Sequence, residues 1–232
     1  MRKVLIVVAI LLVGGLIAAD RIGVRIVEDR IGREVAAQYD LREDPDVTIH
    51  GFPFLTQAIG GEYDRIDLRI GEYAQADVTV RDVRVEMHGV RAPLGEVTGG
   101  DSRNVTVRTA TASAVVPYDL IRRYAPKEIT RIAPQGPDLR VDLSGSLAGV
   151  PLSGTAVVSV RATAEGIRIT PRSIGNGAVQ LPVNVLRERL AWTVPVRDLP
   201  VGSRIGDVQV TEGGLRVSAS ARNLRLNDLR TN

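Results

Sequence analysis

Charged residues are absent between Val4 and Ala19, and the basic pair Arg2-Lys3 stands just before that run. A basic start followed by an uninterrupted apolar stretch is the pattern of an export signal. As a helix the run reaches roughly 24 Å, short of the ~30 Å hydrocarbon core of a bilayer yet long for the apolar part of a cleaved signal. Residues 1–20 therefore read as a signal anchor or a signal peptide. Leu16 and Ile17 stand where a cleavage site wants small side chains, which favours an uncleaved anchor with the body outside the cytoplasmic membrane.

Downstream the pattern changes twice. Val24, Val27, Ile31, Val35 and Tyr39 recur three and four apart with charges between them, which predicts an amphipathic helix over about 22–39 whose stripe packs on a sheet of the same domain or, as the alternative, lies on the membrane surface. From Val47 the period becomes two. Val47 and Ile49 begin it, Tyr63 leads into Ile66, Leu68 and Ile70, and Val78 and Val80 alternate. Val83, Val85 and Met87 resume in the opposite parity after Arg81-Asp82, predicting a bulge or bend there. Further strands are legible at 105–111, 139–143, 157–162, 167–169, 208–210 and 215–221, punctuated by Gly and Pro. So many strands with short connections predict an α+β, predominantly β fold, a strongly twisted antiparallel sheet preceded by an N-terminal membrane helix.

Two similar segments interrupt the strands, "VPYDLIRRYA" (116–125) and "LPVNVLRERLA" (181–191), matching Pro117 with Pro182 and Asp119 with Asn184. Asp119 and Asn184 are expected N-caps of short helices. Each segment follows a Gly-Val-(Arg-Ala)-Pro-Leu start, at 89–94 and 149–152, so residues 21–232 are read as one domain with an internal duplication.

Composition narrows the chemistry. The chain is 44% hydrophobic but 3% aromatic, an aliphatic makeup suited to strands. Net charge is +3, and Lys3 and Lys127 are the only lysines, so the cations are arginines, whose planar fork suits phosphate. No basic run is interleaved with aromatics, which argues against nucleic acid as a partner. With no cysteine and only His50 and His88, neither thiolate chemistry nor a zinc or iron site is expected, and no cofactor is implied. "DLSGSLAG" (142–149) lacks the nucleophile-elbow pattern, and "GNGAVQ" (175–180) fails the dinucleotide fingerprint. Asp64 and Asp67, alternating with Ile66 and Leu68, read as the solvated face of a strand and not as a glycosidase pair. The chain is not read as an enzyme.

Both phenylalanines, Phe52 and Phe54, flank one proline in "HGFPFLTQAIGG". Pro53 suits the first position of a short helix, Phe54, Leu55, Ala58 and Ile59 supply one apolar face, and Gly60-Gly61 supply the stop. The aromatic pair is then a core plug or the lip of an apolar cavity. The run from Gly51 to Ile66, G-F-P-F-L-T-Q-A-I-G-G-E-Y-D-R-I, resembles the signature of the LmeA-like family of actinobacterial envelope phospholipid-binding proteins. "HGVRAPL" (88–94), "VPYDLI" (116–121) and "DLPVGSRIGDVQVTEGGLRVSAS" (198–220) also fit, so the likeness covers nearly the whole chain after residue 20. The resemblance implies a tubular, BPI-like (TULIP) lipid-carrier fold, a long curved sheet wrapped round helices forming an elongated barrel. It also implies a periplasmic role in envelope lipid or lipoglycan metabolism.

Energetics favour an enclosed site. Lifting a 16-carbon chain from a bilayer must replace about 12 kcal/mol of burial, against about 1 kcal/mol for one surface arginine near an anionic membrane. The expected function is non-enzymatic binding or transfer of phospholipid at the outer face of the cytoplasmic membrane, beside envelope glycolipid-synthesis enzymes as further partners. Phe52, Phe54, Leu55 and Trp192 are the candidates for the apolar cavity, and Arg122 and Arg123 for the headgroup phosphate. The alternatives are a non-lipid scaffold for an envelope enzyme, and a hydrolase or transferase acting on a lipid-linked sugar.

Overall fold

The computed structural model describes residues 2–75, 78–93, 95–96, 104–147, 150–174, 188–196 and 203–225. The expected anchor and amphipathic helix are one continuous helix, α1 (Arg2–Tyr39). Nothing between them breaks a helix: there is no proline, and Gly23 weakens a helix without stopping it. Asp20, a residue type that often caps a new helix, instead directs its carboxylate to a backbone N–H elsewhere in the chain. Only the second half of α1 buries a face, through Asp20, Val24, Val27, Gly32 and Ala36. Tyr39, at the end of the predicted stripe, is exposed because the helix stops there and Asp40 turns left-handed at φ 51°.

Beyond α1, the elements with both ends among the described residues are antiparallel strands and two short helices. In chain order they run β1 (Asp46–His50), α2 (Phe54–Gly60), β2 (Glu62–Gln75), β3 (Val78–Arg91), β4 (Thr106–Val116), α3 (Tyr118–Arg123), β5 (Ile129–Gln135) and β6 (Asp138–Leu147). They continue with β7 (Val150–Thr163), β8 (Gly166–Ile174), β9 (Trp192–Pro195), β10 (Arg204–Thr211) and β11 (Gly214–Arg225). One sheet has the order β1-β2-β3-β4-β11-β10, the other β5-β6-β7-β8-β9. The predominantly β, antiparallel class is as the periodicity predicts. The expected bend in β3 falls at Asp82, whose φ of 46° reverses the strand's parity.

Asp119 does not cap α3. Pro117 occupies the cap position, its carbonyl accepts the N–H of Leu120 and Ile121, and Asp119 lies in the first turn. The segment expected to form the matching helix, with Pro182 and Asn184, lies outside the described residues up to 187.

The chain divides into two compact units. Unit 1 comprises Met1–Gly71, Arg84–Thr111 and Ala221–Asn232; unit 2 comprises Glu72–Val83 and Ala112–Ser220. Unit 1 has its own core, with Val24 and Val27 of α1 packed among Val47, Ile49, Phe54, Tyr63, Ile66, Val90 and Val107. The unit 2 core is built mainly on β5 to β9, with Leu139, Val141, Leu152, Val158, Ile167, Ile169 and Trp192. Within unit 2 one device occurs twice. Thr163 and Thr211 each donate a side-chain hydrogen bond to the carbonyl of the glycine three residues on, Gly166 and Gly214. Both glycines have positive φ, and a Cβ on either would collide with a neighbouring backbone, Val194–Val196 or Val116–Pro117.

Candidate functional site

The densest chemistry of the motif lies where α2 meets α1, inside unit 1. The Asp20 carboxylate is buried and accepts the Leu55 N–H at 2.8 Å with one oxygen and an Arg21 N–H at 2.6 Å with the other. It therefore satisfies one of the free donors that begin a short helix lacking any side-chain cap. Gln57 fastens the other side: its amide donates to the His50 carbonyl at 3.2 Å and accepts the Asp64 N–H at 3.0 Å, linking α2 to both flanking strands. The helix ends at Gly61, left-handed at φ 64°, whose N–H returns to Gln57 O. The proline start is shifted by one residue, with Pro53 as cap instead of first helical residue.

The two phenylalanines diverge. Phe54 is 2% exposed and faces Tyr63, ring centroids 6.4 Å apart. Phe52 is 62% exposed, with the Arg21 guanidinium carbon 5.2 Å from its ring centroid. The predicted four-residue apolar face of α2 is also divided. Phe54 and Ala58 are buried, while Leu55 is 39% and Ile59 88% exposed, because a two-turn helix seated on α1 and β2 presents only one i, i+4 pair inward.

Each core contains one polar atom out of place. The Tyr63 hydroxyl and the Trp192 indole N–H are fully buried and have no hydrogen-bond partner among the described residues. Burial alone pushes the Tyr63 phenol pKa upward, in keeping with an apolar setting. Sequence reasoning missed Tyr63. Its one signal was its place in the G-G-E-Y-D-R-I end of the motif.

The acidic and histidine residues are occupied structurally. Asp67 accepts two bonds from Arg65, at 2.7 and 2.8 Å, and lies 3.0 Å from His50 Nε2, while His88 pairs with Glu86 at 2.6 Å. The Arg65 hydrogen bonds hold the Asp67 carboxyl below its ordinary range, against a smaller upward push from burial. Among the described residues no three His, Cys, Asp or Glu side chains gather as a metal site.

A cavity of about 300 Å³ opens in unit 1 beside Gly89, lined by Arg91, Arg108 and Arg225 from the adjacent strands β3, β4 and β11. Arg91 also pairs with Glu62 at 2.8 Å. The volume suits a phosphate-bearing headgroup and is at the lower limit for a small-ligand site. Arg122 and Arg123 are instead exposed residues of α3 in unit 2, whose Ile121 is buried in the core, and Arg122 lies within 3.9 Å of Asp119. Trp192 stands in the unit 2 core on β9, whereas Phe52, Phe54 and Leu55 belong to unit 1. The six residues singled out from sequence thus fall into two groups, one in each unit.

Residues 18–220 match the family model described as LmeA-like phospholipid-binding. No curated protein and no solved structure matches the chain.

Proposed function

The chain belongs to the LmeA-like phospholipid-binding family, and from that premise we propose that it holds phospholipid without covalent catalysis in the cell envelope, anchored by α1 in the cytoplasmic membrane with its body outside. Among the described residues α1 is the one helix long and apolar enough to cross a bilayer, and almost none of its apolar window is buried. The observation that carries the binding reading is the pair of orphaned donors, Tyr63 Oη and Trp192 Nε1, each inside an apolar core. A buried polar group without a partner costs about 1–3 kcal/mol. A phospholipid supplies what these sites lack: ester or phosphate oxygens as acceptors, carried on chains that suit the apolar surroundings. Trp192 is then the chain-lining candidate, and Phe54, packed on Tyr63, is the plug beneath the Tyr63 hydroxyl. The cavity of Arg91, Arg108 and Arg225 is the headgroup subsite, with Arg122 and Arg123 as the competing pair. A role beside envelope glycolipid-synthesis enzymes follows from the same reading.

The test is Tyr63→Phe in the full chain, purified in detergent and analysed by native mass spectrometry and by phospholipid assay of its organic extract. Removing an unsatisfied hydroxyl leaves the empty fold as stable or about 1 kcal/mol more stable. The expected outcome is therefore a folded protein that retains less phospholipid. Wild-type protein that carries none and takes up none when offered refutes the binding reading. Unchanged retention in the variant removes Tyr63 from it. Paired substitution of Arg108 and Arg225, or of Arg122 and Arg123, by Gln then locates the headgroup by whichever pair lowers retention.

A further inference from the structure

We infer that the turn from Phe52 to Ile59 is a second membrane contact, in which Phe52, Leu55 and Ile59 enter the headgroup–acyl boundary of the outer leaflet beside α1. This rests on the reading of α1 as the anchor, and it gives the G-F-P-F-L motif an occupant different from a lipid held inside the protein. Three large apolar side chains on one short turn face outward, Ile59 at 88% exposure and Phe52 at 62%. They are far more open than the Phe54 and Ala58 of the same helix.

Their level along α1 decides what covers them. The carboxylate of Asp20, the first charged residue after the apolar run, receives the Leu55 N–H, and the position of a Cβ on Gly23 lies 3.9 Å from Leu55 Cδ2. The turn is therefore docked at the end of the run, not farther out along the helix. At 1.5 Å per residue the run from Val4 to Ala19 falls roughly 6 Å short of a ~30 Å hydrocarbon core. A short span is accommodated by thinning the bilayer or by flanking residues that extend the apolar surface. Ile22 and Ile26 of α1, exposed at 60% and 61%, and the three side chains of the turn extend it on this side. The Asp20 carboxylate is bonded to Leu55 and Arg21, and Arg21, itself long enough to reach headgroup phosphates, lies over the Phe52 ring.

The absence of cysteine makes the experiment direct. Full-length protein carrying one cysteine at Leu11, Phe52, Leu55, Ile59 or Asp119 is labelled with a nitrobenzoxadiazole fluorophore. It is reconstituted in vesicles of phosphatidylcholine and phosphatidylglycerol. The inference expects deep quenching at position 11 by lipids spin-labelled far down the chain. At 52, 55 and 59 it expects quenching by lipids labelled near the headgroup, with accessibility to aqueous iodide at least threefold below that at Asp119. Quenching at 11 with positions 52, 55 and 59 as open to iodide as 119 overturns the inference and leaves the anchor standing. No lipid quenching at 11 overturns both. Protection from iodide that grows with protein density, without lipid quenching, assigns the patch to a second copy and also overturns it. Because Ile59 is so exposed, Ile59→Ser serves as a folded companion, expected to weaken shallow quenching at 52 and 55 without changing that at 11.

Discussion

The core that α1 enters is closed by an aromatic pair, Phe54 against Tyr63, while the buried residues of the unit 2 core are aliphatic apart from Trp192, on a four-residue strand, with Tyr118 packed at their margin. Unit 1 relies on a few large side chains and on polar fastenings such as Asp20–Leu55 and Gln57–Asp64. In unit 2, Gly166 and Gly214 bring a Cβ position nearer a neighbouring backbone carbonyl oxygen than Gly32 of unit 1 comes to that of Pro45. The difference predicts different weaknesses. A single truncation should loosen unit 1, whereas unit 2 should yield to an added methyl group where there is no room.

The largest effect is expected from Phe54→Ala, a cost of about 3–5 kcal/mol in chemical denaturation, with amide protection lost in the unit 1 segments. Next is Gly214→Ala, expected to cost about 2–3 kcal/mol because the methyl group meets the Val116 carbonyl at a backbone angle that alanine resists. Here hydrogen exchange should rise in unit 2. If either substitution exposed both units equally, the two cores would form one cooperative body and the contrast would fail.

A smaller difference is expected with pH. The Asp67 carboxyl is held below its ordinary value in the fold, so its ion pair stabilises unit 1 above about pH 4 and is lost as pH falls through the lowered folded value. With Arg65 partly in solvent, the effect is about 1 kcal/mol. Asp67→Asn should flatten the acid side of the unit 1 melting profile, and an unchanged profile would show that the pair contributes nothing. The smallest effect belongs to Ile59→Ser, within about 0.5 kcal/mol of wild type in detergent, as fits a side chain that packs on nothing in the protein. A larger loss would mean that Ile59 is part of the unit 1 core.

Much of this was legible in the alternation of side chains. The parity switch at Arg81-Asp82 marked the point where a non-glycine residue of β3, Asp82, takes a positive φ, and the glycine stop of α2 was readable from Gly60-Gly61. Strands β5 and β9 were not, because Pro134 interrupts the first and the second is only Trp192–Pro195. The anchor and the amphipathic helix, read as separate segments, are one helix, and Asp20 between them gives its carboxylate to the distant Leu55 N–H. The division between Phe52 and Phe54 had no sequence signal. Both are apolar and two apart, and only the seating of α2 against Tyr63 and Gly23 decides which turns inward. The arginines of the cavity were equally hidden, being far apart in sequence and gathered only by the order β3-β4-β11.

The unbroken run of α1 from the apolar segment into the unit 1 core has a consequence for how such a protein finds its ligand. A body joined to its anchor by a flexible linker sweeps a volume; one joined by a hinge-free helix has no slack. With α1 as the anchor proposed above, the search of unit 1 is two-dimensional, at the speed of lateral drift within one leaflet, and on that proposal a lipid destined for a more distant layer is handed to a second carrier.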